Sequence, residues 1–183
     1  MKTGKSMFGR RFLICALIML LICPCFSVYA DAVSTDQYWK TIPYLPDDMN
    51  VRFDVSDFVG GDYGNLLSAT NKVSVLKMKE TEIKIGNSNV SITAKTDGTI
   101  TRVRLDSTDR DYCVEGICSN LGTSDANFLL NNAGYVEGNP SVDGEWRIFT
   151  NEAKGRFLAY KAQFASIDQL YYGLIGYMPI SQK

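Results

Sequence analysis

The stretch CVEGICSNLGTSDANFLLNNAGYVEGNPSVDGEWRIFTNEAKGRFLAYKAQFASIDQLYY, residues 113–172, carries a complete folding unit in its pattern. A short cysteine loop opens it. Ser124 offers an N-cap, Asp125 an acid for the first turn, Phe128, Leu129 and Leu130 an apolar stripe, and Gly134 a stop. These signals predict a helix from Ser124 to Gly134. The period then changes to strand-like runs at Glu145–Thr150, Gly155–Ala162 and Ser166–Tyr172, punctuated by Gly138-Asn-Pro140, Asp143-Gly144, Asn151 and Gly155.

A weaker version of the same order precedes it, from about Val59 to Leu105. Gly60, Gly61 and Gly64 come before a short apolar run, and glycine's cost in a helix limits the expected helix to Tyr63–Thr70. Alternation resumes from Lys72 through Ile85, and Gly86-Asn-Ser-Asn89 reads as a turn. Val90, Ile92 and Ala94 then alternate with polar residues, and Asp97-Gly98 precedes Ile100, Val103 and Leu105. That arrangement predicts a hairpin, with positive φ at both central positions of a type I′ turn. Gly60 to Leu67 aligns without gaps on Gly122 to Leu129, an offset of 62 (122 − 60). Thr99 to Leu105 aligns on Ser166 to Tyr172, an offset of 67 (166 − 99). The expectation is an α+β fold, short helices packed on an antiparallel sheet, in two tandem helix-plus-strands repeats at 58–108 and 109–183.

The amino terminus has a different composition. Lys2, Lys5, Arg10 and Arg11 precede an apolar run from Phe12 to Phe26, followed by Ser27-Val-Tyr-Ala30. This is the order of a secretory signal, expected to be cleaved after Ala30. The apolar run is shorter than the roughly 18 residues of a spanning helix, and Pro24 interrupts its end. The mature chain is therefore expected to be exported, periplasmic or secreted, with no stable membrane insertion. Residues 31–57 are acidic, contain Pro43 and Pro46, and read as an extended arm anchored by Trp39, Tyr44, Leu45 and Phe53.

Four of 19 basic residues and none of 20 acidic ones leave with the leader, giving a mature net charge of 15 − 20 = −5. Nucleic acid and anionic membrane reward clustered Lys and Arg, so neither is expected as a partner. Three of five cysteines also leave. The remaining pair, Cys113 and Cys118, is predicted to form a disulfide in an oxidising compartment.

The chain has no histidine. This removes Ser-His-Asp and Cys-His schemes and the usual zinc sites. The glycine-rich segment lacks the Lys-Ser/Thr of a P-loop. The acids Asp106, Asp109, Asp111 and Glu115 fall in or beside a polar connector where solvation accounts for them, and the connector lacks EF-hand spacing. No catalytic residue, metal site or cofactor is expected. Trp146, Tyr160, Tyr171 and Tyr172 crowd the C-terminal strands and are the candidate contacts for a protein partner, because Trp and Tyr anchor interfaces most often.

Gly122-Thr-Ser-Asp125 leading to Gly134, then Gly144-Glu-Trp-Arg147 and a final Ser166-Ile-Asp-Gln-Leu170, resembles small exported modules. These are the beta-lactamase-inhibitory proteins and the outer-membrane assembly lipoproteins of the SmpA/OmlA type. The resemblance implies short helices on an antiparallel sheet and a binding role rather than catalysis. It carries over no contact residue. The expected function is an exported protein-binding module of the bacterial cell envelope, with a secreted effector as the alternative and a carboxylate-based envelope hydrolase third.

Overall fold

The computed structural model describes residues 35–70, 82–85, 88, 90–109 and 111–183. The leader expected at residues 1–30, and the first part of the strand-like run from Lys72, lie outside them. In chain order the elements are β1 (Trp39–Thr41), β2 (Val51–Asp54), α1 (Tyr63–Thr70), β3 (Glu82–Lys84), β4 (Ser91–Ala94), β5 (Ile100–Asp106), β6 (Tyr112–Cys113), α2 (Thr123–Asn132), β7 (Val136–Glu137), β8 (Trp146–Asn151), β9 (Arg156–Gln163) and β10 (Ser166–Leu174). The fold is α+β.

Seven strands form an antiparallel sheet in the order β3-β4-β5-β10-β9-β8-β7. The last strands of the two halves meet in its middle, with Leu105 opposite Leu170 and Val103 opposite Tyr172. The sheet buries one face against the helices, through Val103, Leu105, Phe149, Leu158, Tyr160, Leu170 and Tyr172 on the strands and Leu66, Ala126 and Leu130 on the helices. Leu66 is fully buried, worth about 1.5–3 kcal/mol relative to exposure. Where β10 crosses β5 the strands approach too closely for a side chain. A Cβ on Gly173 would lie 2.5 Å from the Thr101 carbonyl oxygen.

Backbone pairing repeats between the halves. Gly60 N–H donates to the Ile100 carbonyl and Ile100 N–H to Gly61, at 2.8 Å each. Asn120 and Leu121 do the same with Ile167, at 2.8 and 2.9 Å. The bridge Asp62–Thr99 corresponds to Gly122–Ser166. The strand offset is 67, as in the sequence alignment, and it brings the bulge residue of β5, Thr101, onto that of β10, Asp168. The helix offset is 60 (122 − 62), not the 62 of the gap-free alignment. Three shared letters set that alignment, whereas the hydrogen-bonded ladder sets the structure.

Three local expectations change. Helix α2 starts at Thr123 with Gly122 as its cap, rather than at Ser124, because Gly122 bridges to Ser166 and Thr123 N–H donates to Ala165. The Asp97-Gly98 hairpin has left-handed φ only at Gly98 (+90°), and Gly98 N–H closes a turn to Lys95, so it is a turn with a glycine bulge instead of type I′. Residues 31–57, expected as an extended arm, supply β1 and β2 of a second sheet, in which β2 pairs parallel with β6. Phe53 packs among Tyr38, Trp39, Phe58 and Tyr112, with ring centroids 5.5–6.0 Å from its own. Enough apolar surface sits in that segment to make it part of the core.

Candidate functional site

The sheet face turned away from the helices carries the aromatic pair Trp146 and Tyr171. Alternation puts Trp146 on β8 and Tyr171 on β10 on the same side as Ile148, Phe157 and Ala159, which are fully buried beneath them. The two rings lie 5.2 Å apart at 37°, each only partly buried. Arg102 and Arg104 of β5 stand over the other side, with guanidinium carbons 5.5 and 5.7 Å from the Tyr171 ring. Such stacking suits Arg, whose planar cation is weakly hydrated. Asp106 holds Arg104 at 2.9 Å.

A groove of about 440 Å³ runs beside the pair, between the turn at Ser141–Asp143 and the chain end at Pro179–Ser181. Val142 N–H donates to Ser181 and Lys183 N–H to Pro140, so the chain end is laid down as one wall. Met178 and Ile180 pack on the apolar floor. Sequence reasoning found the aromatic pair and missed the arginines and the wall. The arginines were legible, since Arg102 and Arg104 alternate with the inward Val103 and Leu105. Nothing local marks the wall, because its position depends on residues 40 positions away.

Tyr160 and Tyr172, expected as partner contacts, are core residues with 0% and 1% exposure. On strands that are covered on one side, alternation sends them to the helix face. Tyr160 stacks on Phe149 at 5.7 Å, donates its hydroxyl to Asn127 Oδ1 at 2.7 Å and accepts from Arg147 Nη1 at 3.0 Å. Tyr172 donates to Glu115 Oε1 at 2.9 Å, Tyr135 donates to the same oxygen at 3.2 Å, and Lys154 Nζ pairs with the carboxylate at 2.9 Å. Burial, with Glu115 adding to it, raises both phenols far above the usual tyrosine range. Glu115 therefore pins the cysteine loop to the sheet rather than belonging to a solvated cluster.

The disulfide expected between Cys113 and Cys118 is not formed. Both are free, fully buried thiols. Burial pushes Cys118 up to about 11 and Cys113 higher still, so the reactive thiolate is scarce. Between them Val114 and Ile117 exchange two hydrogen bonds at 2.8 and 2.9 Å, and Glu115 (+51°) and Gly116 (+75°) form a tight turn of type I′ sign.

The connector is not wholly solvated either. Asp109 is 3% exposed. Its Oδ1 accepts from the Asp111 and Tyr112 N–H groups at 3.1 and 3.2 Å, and its Oδ2 meets no donor among the described residues. Burial raises its pKa to about 6. Arg52, 1% exposed, donates to the carbonyls of Met49 at 2.9 Å and Asp109 at 3.5 Å. Asp54 is buried opposite Lys40 at 3.1 Å and takes the Ser56 N–H at 2.9 Å. These groups brace the second sheet against the connector, and among the described residues no three His, Cys, Asp or Glu side chains gather as a cation site.

No family model, curated protein or solved structure matches this chain. Among the described residues no helix is long and apolar enough to cross a membrane.

Proposed function

We propose that this chain is an exported, non-catalytic protein-binding module of the bacterial cell envelope, of the inhibitor, immunity or assembly-accessory type. The observation that carries the reading is the outer sheet face. A half-exposed Trp146–Tyr171 pair, flanked by two arginines, borders a groove with an apolar floor. Trp, Tyr and Arg are the side chains that most often dominate binding energy, and they do so around a desolvated centre. The sheet beneath them is rigidly paired on both sides, so the contact surface is preorganised and loses little entropy on binding. The leader-like segment at residues 1–30 supports export.

The test is capture of a partner from envelope extract on the immobilised mature chain. Trp146→Ala and Tyr171→Ala should each reduce the captured protein at least tenfold while leaving thermal stability within a few degrees. Absence of any stable partner, or capture by both variants equal to that of the unsubstituted chain, overturns the reading.

A further inference from the structure

We infer that the chain has a second binding site, for a neutral polyhydroxylated ligand such as a glycan, in the cleft beneath the β9–β10 hairpin. The cleft holds about 550 Å³ and is lined by Ser107, Asn120, Gln163, Phe164, Ser166 and Asp168 among others. It shares no lining residue with the groove at Trp146.

Left-handed backbone falls here on residues where glycine would have avoided its cost. Among the described residues, four that are not glycine have positive φ, and three of them, Asn120 (+68°), Phe164 (+51°) and Ala165 (+62°), surround this cleft. The left-handed region costs a residue with a Cβ about 1–2 kcal/mol. At the corresponding turn of the first half, with the 67-residue offset, the chain has Asp97-Gly98, and glycine adopts that φ freely. Phe164-Ala165 is thus kept against the local preference. Pairing with Thr123 and Asn120 sets the backbone path, but it does not require these side chains, and Phe164 is 94% exposed.

Gln163, Ser166 and Asp168 give or take no side-chain hydrogen bond with other described residues. Asp168 is the extra residue of the β10 bulge, a device that re-aims a side chain. Its counterpart Thr101 is buried and donates to the Thr93 carbonyl at 3.0 Å, whereas Asp168 is half-exposed on the cleft wall. An uncommitted carboxylate, an amide and hydroxyls beside a bare aromatic face match the needs of a sugar. The carboxylate and amide accept and donate to vicinal hydroxyls, and the ring takes the C–H face.

Charge narrows the ligand class. Among the described residues no Lys or Arg lines the cleft, and the Asp168 carboxylate disfavours anions, so a neutral ligand fits it better than a phosphate or an acidic sugar. Lys161, whose field reaches Asp168, is held by Glu145 at 2.7 Å.

The experiment is isothermal titration of the mature chain with two neutral trisaccharides, maltotriose and chitotriose, each to about 10 mM, the range of a shallow single site. At least one should bind, with Phe164→Ala and Asp168→Ala each weakening it about tenfold or more and Trp146→Ala leaving it unchanged. The Phe164→Ala melting temperature should be unchanged or higher, which separates lost contact from lost folding. No heat from either sugar, or binding that survives both substitutions, overturns the inference. So does a Phe164→Ala defect confined to capture of a protein, which would make the ring a protein anchor. Partner capture through Trp146 is a separate readout, so the two sites fail or stand independently.

Discussion

Replacing Asp109 with asparagine should remove a pH dependence of stability that the wild-type chain carries between about pH 4 and pH 6. The carboxyl is 3% exposed, with one oxygen bonded to two backbone N–H groups and the other without a donor among the described residues. Burial raises its pKa from 3.8 to about 6, against the opposing pull of those N–H groups and of Arg52. The folded state therefore holds this proton more tightly than the unfolded state. Its stabilising contribution is complete below pH 3.8 and is lost as the pH rises through 6. The gap of about two pH units, at 1.36 kcal/mol each, amounts to about 3 kcal/mol. Asparagine keeps the oxygen that receives the two N–H groups and cannot ionise. Urea denaturation of both proteins from pH 4 to pH 8 measures the difference. The variant should gain on the wild type by about 2–3 kcal/mol as the pH rises, most of it below pH 6.5. A difference that stays flat within about 0.5 kcal/mol, or that slopes the other way, refutes the assignment of Asp109 as a buried acid.

Three further substitutions test other parts of the fold. Gly173→Ala places a methyl 2.5 Å from the Thr101 carbonyl oxygen, at the seam where the two halves of the sheet pair, and should cost about 3 kcal/mol in chemical denaturation. The double change Phe164→Asn with Ala165→Gly gives the turn residues suited to positive φ and should raise stability by about 1–2 kcal/mol, visible as a higher melting temperature. Tyr172→Phe removes one of the two phenol hydroxyls bonded to Glu115 and should cost about 1–2 kcal/mol. Tyr171→Phe, on the opposite face, should cost far less, so the ratio of the two reports which tyrosine is inside.

Much of the fold follows from local chemistry. Period-2 alternation over Val90–Leu105 and Glu145–Tyr172 produces β4, β5, β8, β9 and β10 within one or two residues, because each strand packs a single apolar face. The brief helix expected at Tyr63–Thr70 forms over that span. Opposite orientation of Tyr171 and Tyr172 is dictated by pleating alone. Which face each takes is a different kind of fact. Tyr172 goes under the helices and Tyr171 to the arginines because β10 pairs with β5 in one register, and a slip by one residue would exchange them.

The candidate sites were legible to the same degree. Trp146 and Tyr171 stood out by residue type, and so did Tyr160 and Tyr172, which turned out to be buried. Type does not say which side of a sheet a residue occupies. The cleft beneath Phe164 left no signal in the sequence, since Gln163-Phe164-Ala165-Ser166 does not announce a turn. Its left-handed backbone is imposed by Ala165 accepting from Thr123 and Ile167 pairing with Asn120 and Leu121. The sequence by itself determined the placement of α1, β4, β5, β8, β9 and β10, the lack of histidine chemistry and the acidic balance, all set by neighbours in the chain or by composition. Tertiary structure alone decided that Asp109 and Arg52 are buried, that the cysteines are separate thiols and that the chain end walls a groove, because hydrogen bonding and burial are properties of residues far apart in the chain.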